Sequence, residues 1–400
     1  MNHYSPSYFH RYFIKKESNQ FFLSIFLRSL ALGMVLIFEP IYLYFYFDKS
    51  LPLTLLFFAL IHGLFALLAV FGAKLMAKIG FDWSMLISHF FYLTYYILLA
   101  FISFSSFFVF LAVIMKALGM TLFWPSYHTN FIRFSEEGHR GKEVGKIGVI
   151  GALPTILGPA IGGFILFSSN YSILFGFVLV VLLMSSIPLF LNREERETYT
   201  DGYQKAWKRV FHKKNRKYTL AFAASSIEVG IDNYLWPIFM AVLSISYISM
   251  GGIISFSFFV SALFMLYMGR VSDSKKRVKA LDLGAILTSI SWIIKYFVIT
   301  PFSAFLAQSF YRLCRTTVGI PFQTLFYEKA AREGSEADEF IIYREIVINV
   351  TRFLSLLALA GLFLLIPRVS ISFLIAALAS LGFTFISTSQ KRSKKKISKR

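Results

Sequence analysis

Two carboxylic side chains, Glu228 and Asp232, lie four residues apart inside a long run of apolar residues. At that spacing both side chains share one face of an α-helix. A charged side chain at the centre of a membrane helix costs about 2.5–3.5 kcal/mol on insertion, so it normally faces a polar cavity or another charge. Burial and a nearby arginine act on such a carboxyl in opposite directions, which lets it bind and release a proton. The pair therefore predicts a proton-binding site in the middle of a membrane.

Other ionisable and polar residues also fall inside apolar runs. A rise of about 1.5 Å per residue places several of them within a turn of mid-depth: Lys116, Glu228, Asp232, Arg312, Arg315, Asn349 and Arg352. Arg28 and Glu39, eleven residues apart, also share a helical face. We expect all of these residues to line a substrate and coupling cavity. His62, His89 and Lys295 are weaker candidates, and Lys295 is close enough to the end of its run to extend to the interface.

An alternative interpretation makes the central charges permanent ion pairs between two halves of the molecule, of the kind Glu228 with Arg312 or Asp232 with Arg315. Such pairs remain compatible with transport, because ion pairs at a moving interface act as switches. Trp124 and Trp236 each precede a proline, so each places a large aromatic side chain next to a kink in its helix. For both tryptophans, packing and substrate contact stay equally open.

The apolar runs that carry these residues are long enough to cross a membrane. About 20 residues span a hydrocarbon core of about 30 Å, and the backbone there must be helical because no water is present to bond it. Twelve such runs occur, at 20–46, 52–73, 83–104, 106–132, 147–167, 172–191, 218–243, 250–269, 280–299, 302–326, 340–365 and 369–389. A mean hydropathy of +0.63 and 47 Phe exclude a soluble protein. We therefore expect an all-α membrane protein with twelve transmembrane helices.

The basic residues alternate strongly between the two sides of this arrangement. Of the 41 Lys and Arg residues, the two tails and the even-numbered gaps hold 32, the spans hold 7, and the odd-numbered gaps hold Lys49 and Arg368. This positive-inside pattern predicts a multi-pass protein of the plasma membrane with both termini in the cytoplasm. The formal charge of +20 is interleaved with the spans, so it favours anionic lipid at the cytoplasmic face over nucleic acid. The single cysteine, Cys314, excludes an intramolecular disulfide and a thiolate metal cluster, and we expect no metal and no cofactor.

The longest polar gap, 192–217, divides the twelve runs into two groups of six. Its second part has Trp207, Val210 and Phe211 among basic residues, which fits either an amphipathic helix on anionic headgroups or a solvated linker. Identities at an offset of 200, such as Tyr127 and Tyr327, indicate a duplicated six-helix unit with its binding site at the repeat interface. The predicted parts are a tail, a half, a linker, a half and a tail, at 1–19, 20–191, 192–217, 218–389 and 390–400.

A glycine-rich run in the fifth span reads Gly158-Pro159-Ala160-Ile161-Gly162-Gly163. It matches the G-P-x-x-G-G pattern of the major facilitator superfamily, which the whole chain resembles. Pro159 removes a helix hydrogen-bond donor, and Gly162 and Gly163 allow another helix to approach closely. The resemblance implies two pseudo-symmetric six-helix halves around a central cavity. In the family this run is especially frequent in proton-coupled exporters.

Two further stretches resemble family patterns. Gly269 and Asp273 match a G-x-x-x-D loop that, in the family, latches the cytoplasmic gate. In the first half Lys78 and Gly80 fit, but an alanine stands at the place of the acid, so that member of the latch is either weakened or supplied by Asp82. In the fourth span, Lys116 precedes a glycine at one residue less than the family spacing. The resemblance also implies that the first, fourth, seventh and tenth helices line the cavity.

These observations predict a secondary transporter that moves a small solute by alternating access, coupled to protons. Two substrate classes stay open, because a surplus of basic cavity residues favours an organic anion whereas the fifth span favours antiport of drugs or amphiphiles. The expected partners are the substrate, protons and lipid, and the expected state is a monomer. No phosphate-binding Gly-x4-Gly-Lys-Ser/Thr run occurs, which argues against ATP as the direct energy source. One alternative is a polytopic membrane enzyme or lipid-handling protein, but the loops of this chain that would carry such a site, 133–146 and 327–345, show no metal-ligand spacing. Another alternative is a transport-inactive sensor. We expect no enzyme activity.

Overall fold

The computed structural model describes residues 8–134, 140–191, 199–274 and 276–387, and these residues form helices and short connections without a strand. The amino-terminal half contains α1 (Tyr8–Val35), α2 (Phe38–Tyr46), α3 (Leu51–Ile79), α4 (Phe81–Ala100), α5 (Phe107–Phe134), α6 (Arg140–Ser168) and α7 (Tyr171–Ser186). A short helix, α8 (Tyr203–Phe211), precedes the second half. That half contains α9 (Arg216–Gly230), α10 (Trp236–Val242), α11 (Tyr247–Asp273), α12 (Arg277–Tyr296), α13 (Pro301–Arg332), α14 (Ala337–Leu365) and α15 (Ile371–Leu381).

Each predicted span corresponds to one helix or to two consecutive helices, so the all-α fold of two six-helix halves around a cavity is confirmed. The first span consists of α1 and α2, and the seventh consists of α9 and α10 joined by one π-helical segment, Ile231–Leu235. Among the described residues, eight helices are long and apolar enough to cross a membrane; the remaining spans are shorter, interrupted or more polar. The predicted domain boundaries stay a prediction. Residues 1–7, 135–139, 192–198 at the start of the predicted linker, 275 and 388–400 lie outside the described residues.

The loops of the bundle fall at two ends, which we name by their charge. The basic end has the connections near residues 80, 275 and 333 together with α8, and the opposite end has those near residues 49, 105, 170, 245, 300 and 368. Four helices that start at the opposite end have capping side chains: Ser50, Asn170, Ser246 and Thr300 each accept a hydrogen bond from a backbone N–H of the first turn. These caps satisfy donors that the helix itself leaves unpaired.

The glycine-rich face of α6 makes very close helix contacts on two sides. A Cβ atom on Gly162 would lie 2.0 Å from the carbonyl oxygen of Met34 in α1, and one on Gly163 would lie 2.6 Å from that of Tyr247 in α11. From the other side, a Cβ on Gly251 would lie 2.4 Å from the carbonyl oxygen of Pro159. Only glycine allows backbones to approach this closely. The run at Gly158 to Gly163 therefore packs α6 against its own half and against the other half at once.

The loop expected at Gly269–Asp273 is a helix, and this corrects the sequence interpretation. α11 continues to Asp273, so Gly269 is buried in its penultimate turn and the connection to α12 begins at Ser274. Arg270 in the last turn favours this extension, because a basic side chain interacts well with a helix carboxyl end. In the first half, Lys78 is exposed in the last turn of α3, and Gly80 connects α3 to α4 with a φ of 90°, a conformation that favours glycine.

The linker helix α8 packs its apolar side on the bundle, an arrangement that neither sequence interpretation, a helix on anionic headgroups or a solvated linker, included. Its Ala206 is buried in a cluster with Phe65 of α3 and Ile342 of α14, and Trp207 and Val210 pack on the same cluster. The apolar side of α8 therefore covers the line along which α3 and α14, and hence the two halves, meet at the basic end.

Polar contacts hold α8 and the residues before it in place. Arg209 bonds to the buried Asp201 and to Glu336, and the Thr200 hydroxyl donates to Glu339 at 2.7 Å. Burial alone would raise the pKa of Asp201, but the hydrogen bonds and charges of Arg209 and Lys205 outweigh burial and hold that pKa below its ordinary value. Asp201 is therefore a charged anchor for this helix.

Candidate functional site

A cavity of about 600 Å³ lies between the two halves and is lined by α1 to α5, α9, α13 and α14. A second region of about 460 Å³ adjoins it and shares lining residues such as Ile25, Asn233 and Arg315. Both volumes fall in the range of about 300–1,000 Å³ that is typical of small-molecule sites. The first, fourth and seventh spans all contribute, as does the tenth, which agrees with the expectation from the sequence.

One acid–base pair lies in the amino-terminal half. The ammonium of Lys116 is 3.1 Å from Oε2 of Glu39, and the hydroxyls of Tyr95 and Tyr96 donate to the two oxygens of Glu39 at 2.9 and 3.1 Å. Lys116 also lies 4.4 Å from the centre of the Tyr95 ring. The charge of Glu39 is thus neutralised inside its own half, and both members of the pair line the cavity.

The carboxyl-terminal half contains two acid–base pairs. Glu228, fully buried, accepts from Nε of Arg315 at 3.1 Å, from the Tyr311 hydroxyl at 2.6 Å and from the Trp292 indole at 3.1 Å. Its two oxygens are therefore both occupied.

Asp232 lies 3.2 Å from Nη2 of Arg312 and 3.4 Å from the ammonium of Lys295. Unlike Glu228, Asp232 lines a cavity region.

This pairing corrects the sequence interpretation in two respects. Glu228 pairs with Arg315 and Asp232 with Arg312, the reverse of the examples given above. The reason is that α9 runs away from the basic end and α13 runs towards it, so later residues of one helix meet earlier residues of the other. The pairs also lie within one half, so they are not ion pairs between halves.

Lys295 does not extend to the interface. Its side chain is fully buried, and its ammonium lies 3.7 Å from the centre of the Tyr311 ring and 4.2 Å from a ring of Trp292 and of Trp236. Such rings attract a cation. Trp236 is therefore a buried packing residue in contact with Lys295, whereas Trp124 lines the cavity.

Two arginines in the cavity wall have no carboxylate partner among the described residues. Arg28 is buried, and its guanidinium carbon lies 3.4 Å from the centre of the Phe123 ring and 4.7 Å from that of Tyr92. Its Nε and Nη2 atoms lack a hydrogen-bond partner within the part of the chain that the structure describes. Arg352 makes one long hydrogen bond, 3.4 Å from Nε to the Ser226 carbonyl oxygen. A buried charge left unpaired is costly, so both side chains are suited to an anionic ligand.

Polar and aromatic contacts join the two halves next to this cavity. The ring nitrogens of His62 lie 2.7 Å from the Asn349 side-chain oxygen and 2.7 Å from the Tyr234 hydroxyl. Tyr234 also stacks on Phe58, with ring centres 4.1 Å apart. His89, by contrast, bonds to Ser186 within the amino-terminal half. His62 and Asn349 therefore belong to the cavity wall, and His89 lies outside it.

A second polar cluster joins the halves closer to the basic end. His128 of α5 lies 2.8 Å from the Tyr327 hydroxyl and 2.9 Å from Nη1 of Arg344, and Thr129 donates to Asp338 at 2.8 Å. Sequence reasoning missed His128, Arg344 and Glu345, because they lie in the last or first turns of spans where charge is expected. The identity of Tyr127 and Tyr327 at an offset of 200 residues was a sequence signal for this cluster, because it marks two helix ends that face one another.

Comparison with known proteins identifies the family. The model of the Major Facilitator Superfamily matches residues 21–336. The chain belongs to this superfamily. Sequence comparison with curated proteins finds no significant match.

Solved structures of other major facilitators share the fold of this major facilitator. The human organic anion transporter MFSD10 (TETRAN) superposes with a TM-score of 0.70 at 14% identity, over 93% of this chain and 99% of that one. The E. coli fucose:proton symporter FucP superposes with a TM-score of 0.67 at 12% identity, over 94% of this chain and 98% of that one. A FucP structure in the outward conformation superposes with a TM-score of 0.62 at 13% identity, over 93% of this chain and 99% of that one. The chain is thus an integral, multi-pass membrane protein of a transporter family.

Proposed function

We propose that this protein transports a small organic anion by alternating access, coupled to protons, and that Arg28 and Arg352 hold the anionic group. The observation that carries the proposal is Arg28 of the cavity wall, two of whose buried nitrogens have no hydrogen-bond partner among the residues that the structure describes. A guanidinium binds a carboxylate or phosphate through parallel hydrogen bonds. The stack on Phe123 and Tyr92 holds its plane in position for that contact.

The charge balance around the cavity supports the same substrate class. The bases are Arg28, Lys116, Lys295, Arg312, Arg315, Arg344 and Arg352, and the acids are Glu39, Glu228, Asp232 and Glu345. When each acid is paired with a base, Arg28 and Arg352 are among those left over. A cationic drug would enter this positive environment against repulsion, whereas an anion is attracted.

Aromatic side chains in the wall favour a substrate with an apolar part. Phe58, Tyr92, Phe123, Trp124 and Tyr234 all line the larger region. Aromatic faces bind flat apolar groups well. An aromatic or amphiphilic carboxylate satisfies both the aromatic wall and the unpaired arginines, which reconciles the two substrate classes that the sequence left open.

The mode and orientation of transport are part of the proposal. The glycine-rich contact of α6 with α11 supports antiport, because the family's proton-coupled exporters carry this run. The distribution of Lys and Arg supports a plasma-membrane monomer with its termini and its basic end in the cytoplasm, next to anionic lipid. No enzyme activity is proposed. One similar fold belongs to an organic anion transporter and another to a proton symporter; at these identities the likeness concerns the fold, so the proposal depends on the cavity.

A binding experiment tests the substrate class. Purified protein would be titrated with aromatic carboxylates and with neutral amides and amines of the same size, and binding would be followed as thermal stabilisation. We expect the carboxylates alone to stabilise the wild type, and Arg28→Met to lose that stabilisation while Arg28→Lys keeps part of it. Stabilisation by the amines in place of the carboxylates would refute the proposed substrate class.

A further inference from the structure

We propose that His128 is a proton-binding site, and that a proton there unlocks the two halves at the basic end. This inference rests on the proposed proton coupling and names its site. His128 lines the cavity, yet it bonds to Tyr327 and Arg344 of the other half. In the described part of the chain, His128 is the histidine that combines a place in the cavity wall with a direct hydrogen bond to a cation of the other half.

The hydrogen-bond directions fix the protonation state of His128 in this conformation. An arginine only donates, so the Nη1 atom of Arg344, at 2.9 Å, must donate to an unprotonated Nε2. The hydrogen of the neutral ring then lies on Nδ1, which donates to the Tyr327 oxygen at 2.8 Å. The closed basic end therefore contains a neutral imidazole.

A proton added to Nε2 is incompatible with this arrangement. The new N–H would point at the N–H of Arg344, so the bond between α5 and α14 would break and two cations would face one another. The proton comes from water in the cavity or at the basic end and returns to water when the bond forms again, so no other reactant is required.

The charged groups around His128 determine the direction of the effect. On α14, Oε1 of Glu345 is 3.6 Å from Nε2 of His128 and also accepts from Arg344 at 2.7 Å. Tyr327 is the facing titratable group on α13, and Tyr127 is the adjacent one on α5. Because Arg344 already occupies Glu345, a second cation would leave the buried cluster with a net positive charge. Protonation therefore disfavours the closed state.

The other buried histidines show why this conflict is specific to His128. Both partners of His62, the Asn349 carbonyl oxygen and the Tyr234 hydroxyl, accept hydrogen bonds, so His62 tolerates a proton on each nitrogen. His89 bonds to a serine hydroxyl inside its own half. Neither residue faces an obligate donor from the other half.

The position of His128 also gives a proton access from both sides in turn. In this conformation its ring reaches the cavity, and separation of α5 from α14 would expose it at the basic end. A transporter that couples to protons needs such a group, because the proton must bind in one state and leave in another. Glu228 does not meet this requirement, since its oxygens are occupied and it lies outside the cavity lining.

Distance measurements on substrate-free protein test the inference. In a Cys314→Ser background, spin labels would replace Lys74 in α3 and Arg332 in α13, two exposed residues of the basic end that belong to different halves. Acidification from about pH 8 to about pH 5.5, which spans the titration of an ordinary histidine, should enlarge the population with the longer distance several-fold. His128→Gln keeps an acceptor for Arg344 but binds no proton, so its populations should not respond to pH.

Two further variants keep the test decisive. Arg344→Gln removes the conflict, so its populations should also be independent of pH if His128→Gln does not fold. His89→Gln should respond to pH as the wild type does. A wild type without a pH response, an unchanged response in His128→Gln, or a shorter distance at low pH would overturn the inference. Because no substrate is present, this result is independent of whether the protein carries anions.

Discussion

At the scale of single residues, the three carboxylates that the sequence singled out are neutralised, whereas two arginines of the cavity wall have no carboxylate partner among the described residues. Glu39, Glu228 and Asp232 each have a basic partner within about the distance of a hydrogen bond, so they contribute little net field. Arg28 and Arg352, together with the second base beside Asp232, contribute the net positive field instead. The structure therefore moves the centre of interest from the acidic pair of α9 to the two arginines.

The contacts of Glu228 predict a structural role. Glu228→Gln would leave Arg315 buried without its counter-charge, and removal of one partner of a buried pair costs about 3–5 kcal/mol. We expect a clearly lower thermal unfolding temperature in detergent. Asp48→Asn, an exposed acid-to-amide change at the opposite end, is the matched control and should leave the unfolding temperature unchanged. If Glu228→Gln were as stable as the wild type but lost proton-driven transport, Glu228 would be a coupling residue after all.

The sequence located the charged residues of the site but not their partners. That Glu228 and Asp232 share a helix face follows from their spacing. Which acid pairs with Arg315 and which with Arg312 depends on the relative direction and the relative axial position of α9 and α13. The spacing of residues along one helix gives no information on either. The importance of Arg28 depends on an absence of neighbouring carboxylates, and this is a property of the packed helices.

At the scale of the helices, the close contact of α6 with α1 determines how tightly that half is built. Gly162→Ala would place a methyl group 2.0 Å from the Met34 carbonyl oxygen, so one helix must shift. Overpacking of this kind costs about 1–3 kcal/mol. We expect a lower thermal stability and slower transport, both measured on purified protein.

Gly176→Ala in α7 is the control for Gly162→Ala, because a Cβ atom there meets nothing within 4 Å. It should be neutral in both assays. Equal behaviour of the two variants would contradict the close contact.

The docking of α8 predicts a second effect at this scale. Asp201→Asn would weaken charge-assisted hydrogen bonds to Arg209 and Lys205. The bond to the partly buried Arg209 is worth about 1.5–3 kcal/mol. Hydrogen exchange of the α8 backbone amides should become faster. Gln204→Asn, an exposed change on the same helix, should have no effect. Wild-type protection in Asp201→Asn would show that the apolar contacts of Ala206 suffice.

The lowered pKa of Asp201 also fixes the pH dependence of this docking. The pKa of an unpaired aspartate is about 3.9. Since the folded pKa is lower still, the contribution of Asp201 is complete above about pH 4 and is lost as the pH falls through the folded pKa. Protection of α8, corrected for intrinsic exchange, should therefore stay constant between about pH 8 and pH 5.

Helix positions were predictable from the sequence, whereas helix ends and α8 were less so. The apolar runs predicted the membrane spans, because a helix that crosses the lipid must be apolar over most of its length. α11 continues beyond its apolar run to Asp273, since a helix end depends on capping and on neighbours and not on lipid alone. Trp207 and Val210 gave the correct amphipathic pattern, but the pattern does not state whether a membrane or the protein covers the apolar side.

At the scale of the whole molecule, the two halves repeat one arrangement. In each half an acid of the first span pairs with a base of the fourth, Glu39 with Lys116 and Glu228 with Arg315. Donors from the third span, such as Tyr95 and Trp292, complete each pair. Each half thus neutralises its own buried acids and can move as one body. In the proposed alternating access, the bonds between the halves, such as those at His62 and His128, must change.

Transport in proteoliposomes tests the central claim, that the cavity carries an organic anion on Arg28. Vesicles containing wild type or Arg28→Met would receive the same labelled aromatic carboxylate or the matched amine under an imposed pH gradient. We predict that the wild type moves the carboxylate and not the amine, and that Arg28→Met moves neither while remaining folded. Movement of the amine by the wild type, or movement of the carboxylate by Arg28→Met at the wild-type rate, would contradict the claim.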